Sequence, residues 1–148
     1  MSEPIELRSD NSAGVADEIM AAVVAANTGS ALAYGGDAWT AQLEATVRER
    51  LARLRLQVGR KLMGLGFTPW DAGAFESDEG MFLWLALPTG RRGQPLAADI
   101  AFAAETAGLV LAPGNVFSPD GNWPHHLRFN VAQCQDPRVF SILKQLLG

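Results

Sequence analysis

The apolar residues between Trp39 and Leu65 recur with the period of a helix, and no other stretch constrains the fold as strongly. Trp39, Leu43, Val47, Leu51, Leu54, Val58, Leu62 and Leu65 stand three or four apart. That spacing lines one face of a single long amphipathic helix. Asp37 stands where an N-cap belongs, because its carboxylate can accept from the first unsatisfied backbone N–H groups. Gly64-Leu65-Gly66, with Pro69 beyond, ends the run. A helix this long must lay its apolar stripe on a partner surface, and the rest of the chain supplies one.

Gly80 to Leu87 is almost wholly apolar and reads as a strand covered on both faces. Residues 95–107 read as a helix opening on Pro95, with Gly108 at its C′ position. Leu109–Ala112 and His126–Val131 read as short strands, and Asp136-Pro137 cap and start a last helix ending at Leu147. Upstream, residues 5–12 read as an extended arm. Residues 16–27 read as a helix with acids in its first turn, stopped by Asn27-Thr28-Gly29. From residue 39 the order is helix, strand near Phe67, strand, helix, strand, strand, helix. This predicts an α+β fold, with helices on one face of a small mixed sheet.

The chain has 148 residues, 48% of them apolar, a formal charge of −4 and one cysteine, Cys134. Such a chain suits one packed domain and can bury roughly 68–70% of its extended surface. The negative balance gives no electrostatic reason to expect nucleic acid. No apolar run is long enough to span a bilayer, and no secretion signal is visible in Met-Ser-Glu-Pro-Ile-Glu. A lone cysteine excludes an internal disulfide and cannot by itself build a thiolate zinc site. A cytoplasmic location is the expectation, without nucleic-acid or membrane partners.

Few residues carry chemistry. In the strand alternation of residues 126–131, Leu127, Phe129 and Val131 face one way, and His126, Arg128 and Asn130 the other. Arg128 thus lies on a polar face, where its planar fork suits bidentate capture of a carboxylate. His125 and His126 point to opposite sides of the strand and do not share a metal easily. Lys61 follows Arg60 on the polar side of the long helix, and Lys144 lies near the end of the last one. Arg48, Arg50, Arg53, Arg55, Arg60 and Lys61 read as a solvated face of the long helix, interleaved with Glu44 and Glu49. Met81, Phe82 and Trp84 read as core.

Gly80-Met81-Phe82-Leu83-Trp84, the loop Pro113-Gly114-Asn115-Val116-Phe117-Ser118-Pro119 and Arg128 resemble the C-terminal small domain of pyridoxal-phosphate enzymes of the aspartate-aminotransferase fold. The resemblance is strongest to the aminotransferase-like domain of MocR-type regulators. Leu7-Arg8-Ser9-Asp10-Asn11 and Tyr34-Gly35-Gly36-Asp37-Ala38-Trp39-Thr40 resemble the beginning of low-specificity threonine aldolases. The resemblance implies an aldolase-like segment over residues 1–45 and an aminotransferase-like small domain over residues 46–148. The large cofactor-binding domain between them, with its Schiff-base lysine, is absent. It implies that Arg128, with Ser9 and Asn115, binds a substrate carboxylate.

The resulting expectation is a truncated or composite domain derived from pyridoxal-phosphate enzymes. It has no catalytic residues, no metal and no cofactor of its own, although the parent families use pyridoxal phosphate. Two alternatives stand beside it. One is aminotransferase or threonine-aldolase activity within a larger assembly; the other is an interaction or weak amino-acid-binding module. An amino-acid or carboxylate ligand, weakly held, and a homo-oligomer are expected. The homo-oligomer would pair through Ile19, Met20, Val23, Val24, Leu51, Leu54 and Val58.

Overall fold

A computed structural model describes residues 5–6, 14–27, 35–69, 80–89 and 95–148. Its elements in chain order are β1 (Ile5–Glu6), α1 (Asp17–Ala26), α2 (Ala38–Gly64), β2 (Thr68–Pro69), β3 (Phe82–Ala86), α3 (Ala97–Thr106), β4 (Leu109–Val110), β5 (Ala112–Pro113), β6 (His126–Asn130) and α4 (Arg138–Leu147). Short 3₁₀ turns span Gly114–Phe117 and Gln133–Gln135. The fold is α+β. Four strands form a sheet in the order β2-β3-β6-β5, antiparallel at every pairing. β1 and β4 make a separate parallel pair.

The long amphipathic helix forms as one unbroken 27-residue element and runs through the expected boundary at residues 45 and 46. The Asp37 carboxylate accepts from the Thr40 backbone N–H at 2.8 Å and from its hydroxyl at 2.7 Å. These bonds hold Asp37 below the usual carboxylate range. Leu54, Val58 and Leu62 turn inward, and α3 adds Ala97, Ile100 and Ala104. α4 adds Val139 and Leu143. All pack on one face of the sheet, formed by Leu83, Leu85, Leu127, Phe129 and their neighbours. The Phe67 ring meets Phe129 edge-on, with centroids 5.3 Å apart, a favoured aromatic geometry. Gly108 takes a φ of +81° just past α3, as a C′ glycine does.

Three departures from expectation have physical causes. α3 starts at Ala97 rather than Pro95: the Pro95 carbonyl accepts from His125 Nδ1 at 2.8 Å, while the Ala97 N–H donates to the Pro124 carbonyl at 2.7 Å. Those bonds make residues 95 and 96 a bridge to the loop before β6. Arg55 leaves the expected solvated face altogether. It is 6% exposed and donates to the carbonyls of Phe82 at 2.7 Å and Gly80 at 3.3 Å. Burial pushes its guanidinium below the ordinary value, but arginine stays charged. The expected pairing surface between copies loses its centre, because Leu54 and Val58 are buried inside the subunit.

Candidate functional site on the outer face of the sheet

Cross-strand register builds the site. Trp84 lies opposite Arg128, Phe82 opposite Asn130 and Ala86 opposite His126. On the far side Ala112 pairs with Arg128. Leu83, Leu85, Leu127 and Phe129 fill the core, so alternation sends Phe82, Trp84, His126 and Arg128 to the opposite face. This is the face expected for Arg128. The surroundings are aromatic rather than polar.

The Arg128 guanidinium carbon lies 4.3 Å from the centroid of the Phe82 ring and 4.1 Å from that of Phe117. Cation–π attraction holds a planar cation at such distances, contributing roughly 0.5–2 kcal/mol per ring. Trp84 stacks on His126, with centroids 5.9 Å apart and planes 20° apart, and meets Phe117 and Trp123 edge-on. Trp123 also meets His126 edge-on at 5.1 Å. Burial, with a smaller contribution from His125, holds the His126 imidazole below its ordinary value of 6.5. His126 is therefore a neutral ring at pH 7.

Two backbone features hold this cluster. Trp123 has a φ of +66°, which an aromatic residue adopts only when its surroundings enforce it. A strained residue of this kind stores about 1–3 kcal/mol. Gly114, opening the 3₁₀ turn that carries Asn115 and Phe117, lies directly under Trp123. A Cβ there would stand 2.5 Å from the Trp123 carbonyl oxygen. The Asn115 Oδ1 is buried with no hydrogen-bond partner among the described residues, although burial of such an oxygen costs about 1–3 kcal/mol when unmet.

The other expected site residues lie apart. Ser9 is outside the described residues. Lys61 is exposed and lies over the Phe140 ring at 4.7 Å, and Lys144 is an exposed residue in the last turn of α4. Cys134 is 1% exposed, and burial pushes its thiol up to about 12, so it is inert at pH 7. Among the described residues no cluster of three His, Cys, Asp or Glu side chains could hold a metal ion. No helix among them is long and apolar enough to cross a membrane. Sequence reasoning placed the Pro113–Ser118 loop beside Arg128 but did not single out Gly114 or Phe117 within it, and it missed Trp123, whose Asp-Gly turn marked a loop without showing that it folds back over the sheet.

No protein-family model matches the chain, and no solved structure matches it. Among curated proteins, the chain is 35% identical over 101 residues to an uncharacterized HTH-type transcriptional regulator, YdcR, of Escherichia coli strain K12. The match covers 68% of this chain and 20% of the relative, so the chain spans about a fifth of the length of the protein it matches.

That finding corrects the functional reading of the sequence. The matched protein is named as a regulator of transcription, and its name carries neither aminotransferase nor aldolase activity. Derivation from pyridoxal-phosphate enzymes, and with it the truncated-enzyme reading and its enzymatic alternative, is set aside. The expected partners are corrected too, since a regulator of transcription brings nucleic acid into consideration. The cause of the error is physical. An arginine on the outer face of a short strand beside a Pro-Gly loop is a local arrangement that many small sheets can build, and a fold does not carry a function.

Proposed function

We propose that the chain works in transcriptional regulation, as a domain that binds a small organic anion and so informs the protein's action on DNA. The observation that carries the anion half of this reading is Arg128 held between the Phe82 and Phe117 rings. The donors of a guanidinium lie in its plane, a fork whose geometry captures a carboxylate bidentately. Asn115, two residues before Phe117, brings a buried acceptor oxygen, which favours a ligand that also carries an N–H or O–H donor. The regulatory half is supported by the match to a named regulator of transcription.

Tryptophan fluorescence tests the anion site, because Trp84 and Trp123 lie within it. Titration with a planar acid bearing a donor, such as salicylate, should change the emission saturably. Arg128→Gln should weaken the binding about tenfold to a hundredfold, the equivalent of one or two charge-assisted hydrogen bonds. Equal binding by the variant would sink the site. Anisotropy of a labelled DNA duplex, with and without the acid, addresses the regulatory half. If the acid changes DNA binding neither by the chain nor by the longer regulator carrying it, that half falls.

A further inference from the structure

A second cavity lies where α1, the middle of α2 and the turn after β6 meet. It is a cleft of about 540 Å³, within the roughly 300–1,000 Å³ range of small-molecule sites. Its walls are mostly apolar, with Ile19, Leu51 and Met81 among them. Its polar groups include Asn130 and Arg50. Asn130 is 1% exposed. Its Oδ1 accepts from the Ala132 backbone N–H at 3.0 Å, which fixes the orientation of the amide. The Nδ2 donor has no hydrogen-bond partner among the described residues. A buried donor left unmet is costly, and a ligand offering an acceptor recovers that cost. Arg50, half-buried, is held by Glu18 of α1 at 2.5 Å.

We propose that this cleft binds a small apolar monocarboxylate, its tail against Ile19, Leu51 and Met81 and its head taken by the Asn130 Nδ2. A carboxylate fits better than a neutral acceptor because it has two oxygens. One meets the Asn130 amide while the other shares Arg50 with Glu18. Apolar walls with few fixed polar groups are the usual composition of a site that orients one end of its ligand. The inference rests neither on the anion reading of Arg128 nor on any role in transcription.

Octanoate is the probe, with octanol as the matched neutral tail, both measured by calorimetry on the full chain. Saturable binding of octanoate, at least tenfold tighter than that of octanol, is expected. Asn130→Asp keeps an oxygen for the Ala132 N–H but replaces the donor with a second acceptor, and should cost octanoate at least tenfold. Equal binding of octanol, or undiminished binding by the variant, would overturn the proposal. A measurement on the unaltered protein covers the case in which the variant does not fold. The Asn130 side-chain amide resonances should shift as octanoate is added, and unmoved resonances at saturating octanoate would equally refute it.

Discussion

Replacing Gly114 with alanine adds one methyl group at the most crowded backbone position beside the aromatic site. The new Cβ would stand 2.5 Å from the Trp123 carbonyl oxygen, 3.0 Å from the Trp123 Cβ and 3.1 Å from the His126 Cβ. The first neighbour is backbone, which cannot swing away as a side-chain tip would. Trp123 is already held at a φ of +66°, so moving its carbonyl means disturbing a strained residue. Overpacking of this kind costs about 1–3 kcal/mol, and a backbone obstacle places Gly114→Ala in the upper half of that range. At roughly 2–4 °C per kcal/mol for a chain of this order of size, the thermal midpoint should fall by about 4–12 °C. Near-ultraviolet circular dichroism should change with it, because the displaced groups belong to the Trp84–Trp123–His126 cluster. Gly64→Ala is the matched control. A Cβ there meets nothing within 4 Å, and alanine in a helix is favoured over glycine by roughly 0.5–1 kcal/mol. The same chemical change should therefore raise the midpoint slightly. A Gly114→Ala protein that melts with its parent and keeps its near-ultraviolet spectrum would refute the packing argument.

Three further outcomes are expected. Arg55→Leu removes the donor to the Phe82 and Gly80 carbonyls, and at about 1.5–3 kcal/mol for a charge-assisted bond should lower urea stability by about 2–3 kcal/mol; an unchanged denaturation midpoint would refute this. On the acid side, His126 has a folded pKa below its unfolded value of 6.5. The unfolded chain therefore binds the extra proton first, so stability is full above about pH 6.5 and declines below it; His126→Phe should flatten that limb of the curve. On the alkaline side, the Cys134 thiol is pushed up to about 12 from 9.0, so the unfolded chain loses its proton first. Stability should fall as pH rises above 9, and Cys134→Ala should remove that slope in denaturant titrations at pH 8–11.

Much of the architecture was legible because it is written in local periodicities. The three-four spacing from Trp39 to Leu65 marked α2, Asp37 marked its cap, and Gly108 marked the end of α3. The two-residue alternation around Arg128 separated Leu127 and Phe129 in the core from His126 and Arg128 on the outer face, but Asn130, expected beside Arg128, is buried, and Phe82 and Trp84, read as core, lie on the outer face. What escaped depends on contacts between residues far apart in the chain. Arg55 reads as surface beside Arg53, and only the carbonyls of Gly80 and Phe82, some 25 residues on, explain its burial. The aromatic cover over Arg128 comes from Phe117 and Trp123, on loops whose fold depends on Gly114 having no side chain. Function was the least legible part. Arg128 on a strand was readable, but the arrangement was assigned to an enzyme lineage, whereas the relative found among curated proteins is named as a regulator of transcription.

Phe82 touches two arginines from different parts of the chain. Its ring lies against Arg128 on the outer face of the sheet, and its carbonyl accepts from Arg55 of α2 at 2.7 Å. A shift of the backbone at this residue therefore alters a stacking contact and a helix anchor in the same movement. Should an anion draw Arg128 away from its rings, Phe82 is a residue through which α2, anchored to its carbonyl by Arg55, and α1, clasped to α2 through Arg50 and Glu18, would register the event. Phe82 thus couples the outer face of the sheet to the helix packed behind it.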